Sequence, residues 1–421
     1  MLFWTTVFIF LITYLIIISE KIHRTVIAMT GALLMIFLGV LTQQEAIVGI
    51  DFNTLGLLIG MMVTVTIAKD SGMFQFVAIW AAKAAKGKPM VIFVLLGLIA
   101  ALFSALLDNV TTVLLMVPVT FVIANNLRLS PRPFLIALIL LSNIGGAATL
   151  IGDPPNILVG SASGLTFNDF LVNMGPIAFV LVAITILFFI IWYRKDLAEV
   201  SGAKEKIMRF NPKEAITDKP LLIKSLFSIG LVLVGFATHS LTGFEGASIA
   251  LAGAAILLLL TANDPEEHLR DVEWTVIFFF IGLFILVAGL EKTGVIDMLA
   301  QKLISATQGN LAITTISILW GSAFFSAVVD NIPFVATMIP LIKEIGAITG
   351  LPLQPLWWAL LLGADIGGNM TLVGASANVV VSGLAEKHGN KISFFEYMKT
   401  AVPVTIIALA VCNIYIWFRY L

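Results

Sequence analysis

Long apolar segments separated by short polar ones extend along almost the whole chain. A helix needs about 17–25 predominantly apolar residues to cross a bilayer, and many of these segments approach or reach that length. The pattern therefore predicts an all-α polytopic membrane protein. Unbroken spans are expected at 2–20, 25–42, 54–70, 174–193, 221–239, 246–262, 274–290 and 398–418.

Four other apolar segments are interrupted near their middle. Glycines and polar residues break 133–160 and 355–382, and the first of these also contains two adjacent prolines. Backbone groups exposed by such a break are tolerated at membrane depth only where protein or a water-filled cavity receives them. We therefore expect two broken spans that face a cavity. The segments 90–126 and 312–348 are long enough for re-entrant helical hairpins.

The basic residues predict how the chain is oriented. If both hairpins re-enter, ten spans result, and all but four of the 24 Lys and Arg residues fall on one side. The positive-inside rule makes that side cytoplasmic. We therefore expect a plasma-membrane protein with both termini outside and with residues 194–220 as a solvated cytoplasmic linker.

The second half of the chain repeats the first at an offset of 222 residues. The stretch "SALLDNVTTVLLMVP" (104–118) matches "SAVVDNIPFVATMIP" (326–340), and "SNIGGAATLIGDPPN" (142–156) matches "ADIGGNMTLVGASAN" (364–378). Each repeat, 1–193 and 221–421, has five spans and one hairpin. Because five is odd, the two repeats are expected to be inverted in the membrane, as in many secondary transporters.

Composition and charge exclude several functions. The chain is 59% hydrophobic and 12% charged, and its net charge of −1 gives no electrostatic basis for binding nucleic acid. The single cysteine, Cys412, rules out a disulfide framework or a cysteine metal cluster. No lysine-containing phosphate loop and no catalytic constellation occurs. We therefore expect membrane lipid around the protein, no cofactor, no bound metal and no enzymatic activity.

Four aspartates lie inside apolar sequence: Asp108, Asp153, Asp330 and Asp365. A charged group within a membrane costs roughly 2.5–3.5 kcal/mol on insertion scales, so such residues are candidates for a functional role. We expect them to couple transport to protons, although Asp108 and Asp330 could equally cap helices at the hairpin tips. Asp153 and Asp365 break the repeat symmetry, since their counterparts are Ala375 and Asn143.

Polar side chains and glycines near the breaks are the candidate substrate-binding residues. Freed backbone groups and the ends of half-helices can meet a ligand there, and glycines let it approach the backbone closely. The candidates are Asn109, Thr111, Thr112, Asn143, Gly145, Gly146, Asn156, Asn331, Gly367, Gly368, Asn369, Ser376 and Asn378.

The paired motifs "DNVTT…SNIGGAATLIGDPPN" and "DNIPF…ADIGGNMTLVGASAN" resemble those of the ion transporter superfamily, and most closely its arsenite permease and P-protein branch. The resemblance covers nearly the whole chain. It implies inverted repeats with re-entrant hairpins and unwound helices, often in homodimers. For the arsenite branch it also implies export of arsenite and antimonite in exchange for protons, in some cases with a partner ATPase in the cytoplasm.

The superfamily's ligand-lining positions fall on Asn109, Thr111, Asn143 to Gly146, Asp153 and Asn156, and on Asn331, Asp365 to Asn369, Ser376 and Asn378. The Ser-Asn-Thr signature of the sodium/dicarboxylate carriers is absent from both hairpin tips, which weakens the case for a carboxylate substrate.

The candidate residues suit uncharged arsenite, because amides, hydroxyls and open backbone groups can pair with its three hydroxyls. No arginine or lysine is expected in the core of the site, which argues against a tightly held polyanion. The same oxygens would suit sodium. The residues alone therefore do not separate a metalloid from sodium. Together with the resemblance, they lead us to expect a proton-coupled exporter of arsenite and antimonite, with a sodium/proton antiporter as the alternative. An organic anion carrier and a passive channel are less favoured.

Overall fold

A computed structural model describes residues 2–19, 21–198, 203–261 and 264–421. These residues form helices joined by short loops, so the prediction of an all-α membrane protein is confirmed. Ten helices in the described part of the chain are long and apolar enough to cross a membrane.

The first half contains eleven helices within the described residues. They are α1 (Leu2–Ser19), α2 (Arg24–Phe37), α3 (Gln43–Val48), α4 (Phe52–Lys69), α5 (Met73–Ala84), α6 (Pro89–Leu106), α7 (Asn109–Leu127), α8 (Arg132–Gly146), α9 (Pro154–Ser163), α10 (Phe167–Asn173) and α11 (Gly175–Trp192).

The second half follows nearly the same order of helices. They are α12 (Ala203–Met208), α13 (Lys219–Thr242), α14 (Gly246–Thr261), α15 (Pro265–Arg270), α16 (Trp274–Lys292), α17 (Val295–Thr307), α18 (Leu311–Val328), α19 (Asn331–Thr349), α20 (Gln354–Gly367), α21 (Ser376–Lys387) and α22 (Phe394–Tyr420). Helices α14 to α21 each begin 222 residues after the corresponding helix of α2 to α9, which is the offset seen in the sequence. For example, α2 begins at Arg24 and α14 at Gly246.

Each hairpin consists of two long helices that meet at an aspartate. In the first hairpin, α6 ends at Leu106 and α7 begins at Asn109, and the Asp108 carboxylate accepts a hydrogen bond from the Thr111 backbone amide at 2.7 Å. Asp330 begins α19 in the same way by accepting from the Ile332 amide at 3.1 Å. The capping role expected for both aspartates is therefore present. An arm of 18 residues is about 27 Å long, so each tip can lie far from the ends of its hairpin.

In each broken span, one asparagine side chain donates hydrogen bonds to backbone carbonyls of the break. Helix α8 ends at Gly146 and α9 restarts at Pro154, a residue type that is well suited to the first turn of a helix. The Asn156 side-chain amide donates to the carbonyls of Gly146, at 3.1 Å, and Thr149, at 2.7 Å. The Gly146 carbonyl is thereby paired, and the Thr149 carbonyl, which also accepts from the Gly152 amide at 3.5 Å, gains a closer donor.

The second broken span is closed by the counterpart of Asn156. Between α20 and α21, Asn378 donates to the carbonyls of Gly368 and Thr371 at 2.9 and 2.8 Å. Thr371 also donates through its hydroxyl to the Ala327 carbonyl at 2.6 Å, which ties the loop to the second hairpin.

Glycines bring helix backbones into contact at matched places in the two halves. A methyl group on Gly145 would lie 2.1 Å from the Ala101 carbonyl oxygen, and one on Gly367 would lie 2.3 Å from the Ala323 Cα. Each hairpin is therefore packed closely against the broken helix of its own repeat. Gly60 and Gly282 make the same kind of approach between α4 and α14 and between α16 and α2.

The linker differs from the solvated tether that its mixed charge predicts. Within 203–220, the Thr217 backbone amide donates to the Ser71 carbonyl at 3.1 Å, and the Phe210 carbonyl accepts from Lys83 at 3.1 Å. Ile207 is fully buried. These contacts fasten the linker to both ends of α5, while residues 199–202 lie outside the described part of the chain.

Gly145→Ala is expected to lower the stability of the folded protein by about 1–3 kcal/mol, because the new methyl group would overlap the Ala101 backbone. Thermal unfolding in detergent measures the change. Gly321→Ala in α18 is the matched control, since no atom lies within 4 Å of its added methyl group. If the two variants unfolded at the same temperature, the close packing of α6 on α8 would not contribute to stability.

Asn156→Ala is expected to destabilise the protein by about 1–3 kcal/mol, because the Gly146 carbonyl loses its donor and the Thr149 carbonyl keeps only the Gly152 amide at 3.5 Å. The same thermal unfolding assay applies, with exposed Asn125→Ala in α7 as control. A melting temperature equal to that of the control would show that water replaces the amide in the broken span.

Candidate functional site

A cavity of about 430 Å³ lies where the two hairpin tips meet the two broken spans. We call it the main cavity. Apolar side chains such as Leu58, Met61 and Val276 form most of its wall, while polar groups from the tips and breaks converge on it. Such a cavity, mostly apolar with a few convergent polar groups, is typical of a small-molecule site.

An amide network lies beside the main cavity and crosses between the two repeats. Asn109 donates to the Asp153 carboxylate at 2.6 Å and to the Asn143 carbonyl oxygen at 3.2 Å. Asn143 in turn donates to the side-chain oxygens of Asn369 and Asn378, at 2.9 and 2.8 Å. All five side chains are at least nine-tenths buried. The network therefore joins the first hairpin to both broken spans.

Asp365 differs from the residues of the amide network in its hydrogen bonding. It is only 1% exposed, and neither of its carboxylate oxygens has a hydrogen-bond partner among the described residues. The Asn331 side chain lies beside it, and Asp153 is close enough to repel it electrostatically. A buried carboxylate left without partners is costly when ionised, so this position favours a bound proton or cation.

The two carboxylates occupy different positions in the two repeats. In the first repeat, Asn143 ends α8 and Asp153 begins α9. In the second, Asp365 takes the place of Asn143, and Ala375 takes that of Asp153. Each repeat thus contributes one acid near a hairpin asparagine, but the acids enter the site from opposite ends of the break.

The structure brings together the residues that the sequence singled out, in two layers. Those that line the main cavity are Asp108, Asn109, Thr111, Asp153, Asp330, Asn331 and Ser376. Those that are buried behind this lining are Thr112, Asn143, Gly145, Gly146, Asn156, Asp365, Gly367, Gly368, Asn369 and Asn378. The second layer thus holds the break glycines and most of the amide network, and supports the residues a ligand would contact first.

The expectation that no arginine lies in the site is wrong. The Arg24 guanidinium lines the main cavity and donates to the Asp330 carboxylate at 2.7 Å and to the Ser376 hydroxyl at 2.9 Å. Ser376 also donates to the same Asp330 oxygen, at 2.8 Å. Arg24 lies between the predicted spans 2–20 and 25–42, but in the structure it begins α2 and reaches the second hairpin tip.

Glu273 and His23 also line the main cavity and were not among the predicted residues. Both lie at the starts of helices, α16 and α2, where sequence patterns suggest ordinary capping. A comparison of the two repeats could have pointed to this region, because His23 and Arg24 correspond to the different residues Glu245 and Gly246. The region before the second span therefore differs between halves that otherwise match closely.

Known proteins with similar sequences include membrane transporters. The sequence model described as citrate transporter matches residues 14–363. An uncharacterized transporter of Mycobacterium tuberculosis is 43% identical over 423 residues, which cover 98% of this chain and 97% of the relative. The human P protein is 34% identical over a region that covers 96% of this chain and 58% of the P protein.

Two solved structures share the fold at low sequence identity. The YdaH transporter of Alcanivorax borkumensis superposes with a TM-score of 0.63 at 15% identity, covering 88% of this chain and 86% of that one. MtrF of Neisseria gonorrhoeae, described as one of a class of antimetabolite efflux pumps, gives 0.58 at 13% identity, covering 92% and 84%. With the family match over most of its length, this chain belongs to the citrate transporter family of membrane transporters.

Proposed function

We propose that this transporter is a proton-coupled secondary carrier that exports arsenite and antimonite across the plasma membrane. The observation that carries the proposal is the meeting of neutral amide and hydroxyl groups in the cavity lining with one buried carboxylate, Asp365, that has no hydrogen-bond partner among the described residues. Asn109, Thr111 and Ser376 supply neutral polar groups for a neutral solute. The carboxylate supplies a place for the coupling proton.

The two central acids favour proton coupling. Asp153 has one hydrogen-bond donor, Asn109, whereas Asp365 has none among the described residues. Two nearby carboxylates in surroundings of low dielectric resist ionising together. The pair therefore holds at least one proton or cation in this conformation, and release of that proton would change the charge beside the cavity.

The substrate assignment rests on the chemistry of the lining. Arsenite is a neutral trihydroxide at neutral pH, and Asn109, Thr111 and Ser376 offer amide and hydroxyl groups to it. A thiol would bind trivalent arsenic too tightly for release. Cys412, the one cysteine of the chain, is buried within α22, away from the residues of the main cavity.

The proposed architecture follows the matched helices. Two repeats of opposite orientation, with the linker in the cytoplasm and both termini outside, would expose the site to alternate sides of the membrane. The proposal requires neither a second copy of the chain nor an ATPase partner, because the proton gradient supplies the driving force.

Arg24 supports an organic anion as a second candidate substrate. A guanidinium that lines the cavity can pair with a carboxylate, and the matching family is described as citrate transporter. Arg24 already pairs with Asp330, however, so its charge is compensated in this conformation. Sodium is a third candidate, because the same carboxylates and amides could coordinate it.

Transport into inverted membrane vesicles tests the proposal. The vesicles are energised to an acidic, positive interior and receive arsenite, antimonite, sodium or citrate one at a time. Uptake of arsenite and antimonite that an ionophore abolishes is the expected result. Sodium-dependent loss of the pH gradient without metalloid uptake, or uptake of citrate alone, would contradict the assignment and identify the competing substrate.

Asp153→Asn and Asp365→Asn are each expected to abolish uphill, proton-driven uptake, because an amide occupies almost the same space but cannot exchange a proton. Downhill exchange and thermal stability are measured on the same preparations. Glu386→Gln is the matched control, since Glu386 forms an exposed ion pair with Lys391 and does not line the cavity. Wild-type uphill transport by both aspartate variants would remove these residues from the coupling mechanism.

A further inference from the structure

The two hairpin tips are related by the repeat, yet only one of them is held by a cation. Asp330 pairs with Arg24 at 2.7 Å, whereas Asp108 has no ion pair among the described residues. The residue that corresponds to Arg24 in the second repeat is Gly246, which has no side chain to offer Asp108. The ion pair therefore has no counterpart at the repeat-related position.

The position of Arg24 is unfavourable for its own helix. Arg24 is the first residue of α2, where the helix dipole disfavours a positive charge. Its interactions lie elsewhere: the guanidinium contacts Asp330 and Ser376, and it lies over the Phe279 ring with 5.1 Å between its central carbon and the ring centre. Contacts with the second repeat, rather than helix formation, account for an arginine at this position.

The ion pair joins two groups of helices that are each packed tightly. Helix α2 lies against α16, where a methyl group on Gly282 would come within 2.7 Å of the Ala28 backbone. The second hairpin lies against α20, through the close approach of Gly367 to Ala323. Arg24 belongs to the first group and Asp330 to the second. If these two groups of helices moved relative to each other at this point, the ion pair between Arg24 and Asp330 would have to break.

A smaller pocket of about 180 Å³ is lined in part by repeat counterparts of main-cavity residues. These are His239, Glu245 and Gly246, which correspond to the main-cavity residues Ile17, His23 and Arg24. Here the Asn53 amide donates to the Ser161 hydroxyl at 3.1 Å, so α4 contacts α9. At this repeat-related place the pocket is therefore narrower than the main cavity, and neither hairpin tip is part of its lining.

We propose that Arg24 is a positioning residue of the transport cycle: its contacts with Asp330 and Ser376 hold the second hairpin and α21 against α2, and this favours the conformation in which the main cavity is open. The contacts break when the smaller pocket opens in its place. The inference depends on alternating access, which a secondary carrier requires, but on no particular substrate. The inference about Arg24 can therefore be wrong while the arsenite assignment is right, and the arsenite assignment can be wrong while the inference is right.

Cysteine labelling tests the proposal without any substrate. Cys412 is replaced by serine, and single cysteines are introduced as Val379→Cys in the lining of the main cavity or Leu165→Cys in that of the smaller pocket. The rate of reaction with a water-soluble maleimide is measured for each in proteoliposomes. These rates report how often each approach is open.

Arg24→Gln is expected to slow labelling of the Val379→Cys protein and to speed labelling of the Leu165→Cys protein, each by about two- to fivefold, the change expected for the loss of a partly exposed ion pair. Asp330→Asn removes the same pair from the other side and is expected to shift both rates in the same directions. It keeps the test decisive if Arg24→Gln folds poorly.

Lys21→Gln is the matched control. Lys21 is exposed, lies three residues before Arg24 and forms no ion pair with any described residue. An equal shift in the Lys21→Gln protein would assign the effect to net charge and overturn the proposal. Unchanged rates at both cysteines in Arg24→Gln and Asp330→Asn would also overturn it.

Discussion

The structure depends on one constraint: backbone polar groups exposed by a break in an apolar helix must find partners within the protein. Asn156 and Asn378 meet it with the same pair of hydrogen bonds in each repeat. Because each break is closed by a side chain, its loop can stay non-helical beside the cavity without leaving those carbonyls unpaired. The close packing of the hairpins through Gly145 and Gly367 then sets where the tips lie.

On this symmetric framework the chemistry is asymmetric. The acid of the break is Asp153 in one repeat and Asp365 in the other, at positions that do not correspond. Asn143, the counterpart of Asp365, instead joins the repeats through Asn369 and Asn378. An amide can donate and accept at once, whereas a carboxylate without a proton only accepts. The exchange of Asn143 for Asp365 therefore gives the first repeat a residue that links the two repeats, while the second repeat has a carboxylate at the same position.

The sequence signals for the helix ends at the tips and at the breaks are local. Glycine, proline and aspartate within apolar sequence place the tips at Asp108 and Asp330 and the breaks before Pro154 and Ser376. Arg24 could not be placed in this way, since its partner lies 306 residues away along the chain. The packing of the linker on α5 was not predicted for the same reason: its charges indicate solvent, while its contacts are hydrogen bonds with residues distant in the chain and the burial of Ile207.

The charges around the main cavity limit how any anion could be carried. Arg24 is neutralised by Asp330, while Asp108, Asp153 and Glu273 add further acidic groups to the lining. A polyanion entering this conformation would meet repulsion unless protons or cations came with it. A neutral solute avoids that cost, and a proton on Asp153 or Asp365 would lower it for a polyanion. The charges of the lining therefore disfavour an unaccompanied polyanion more than a neutral solute.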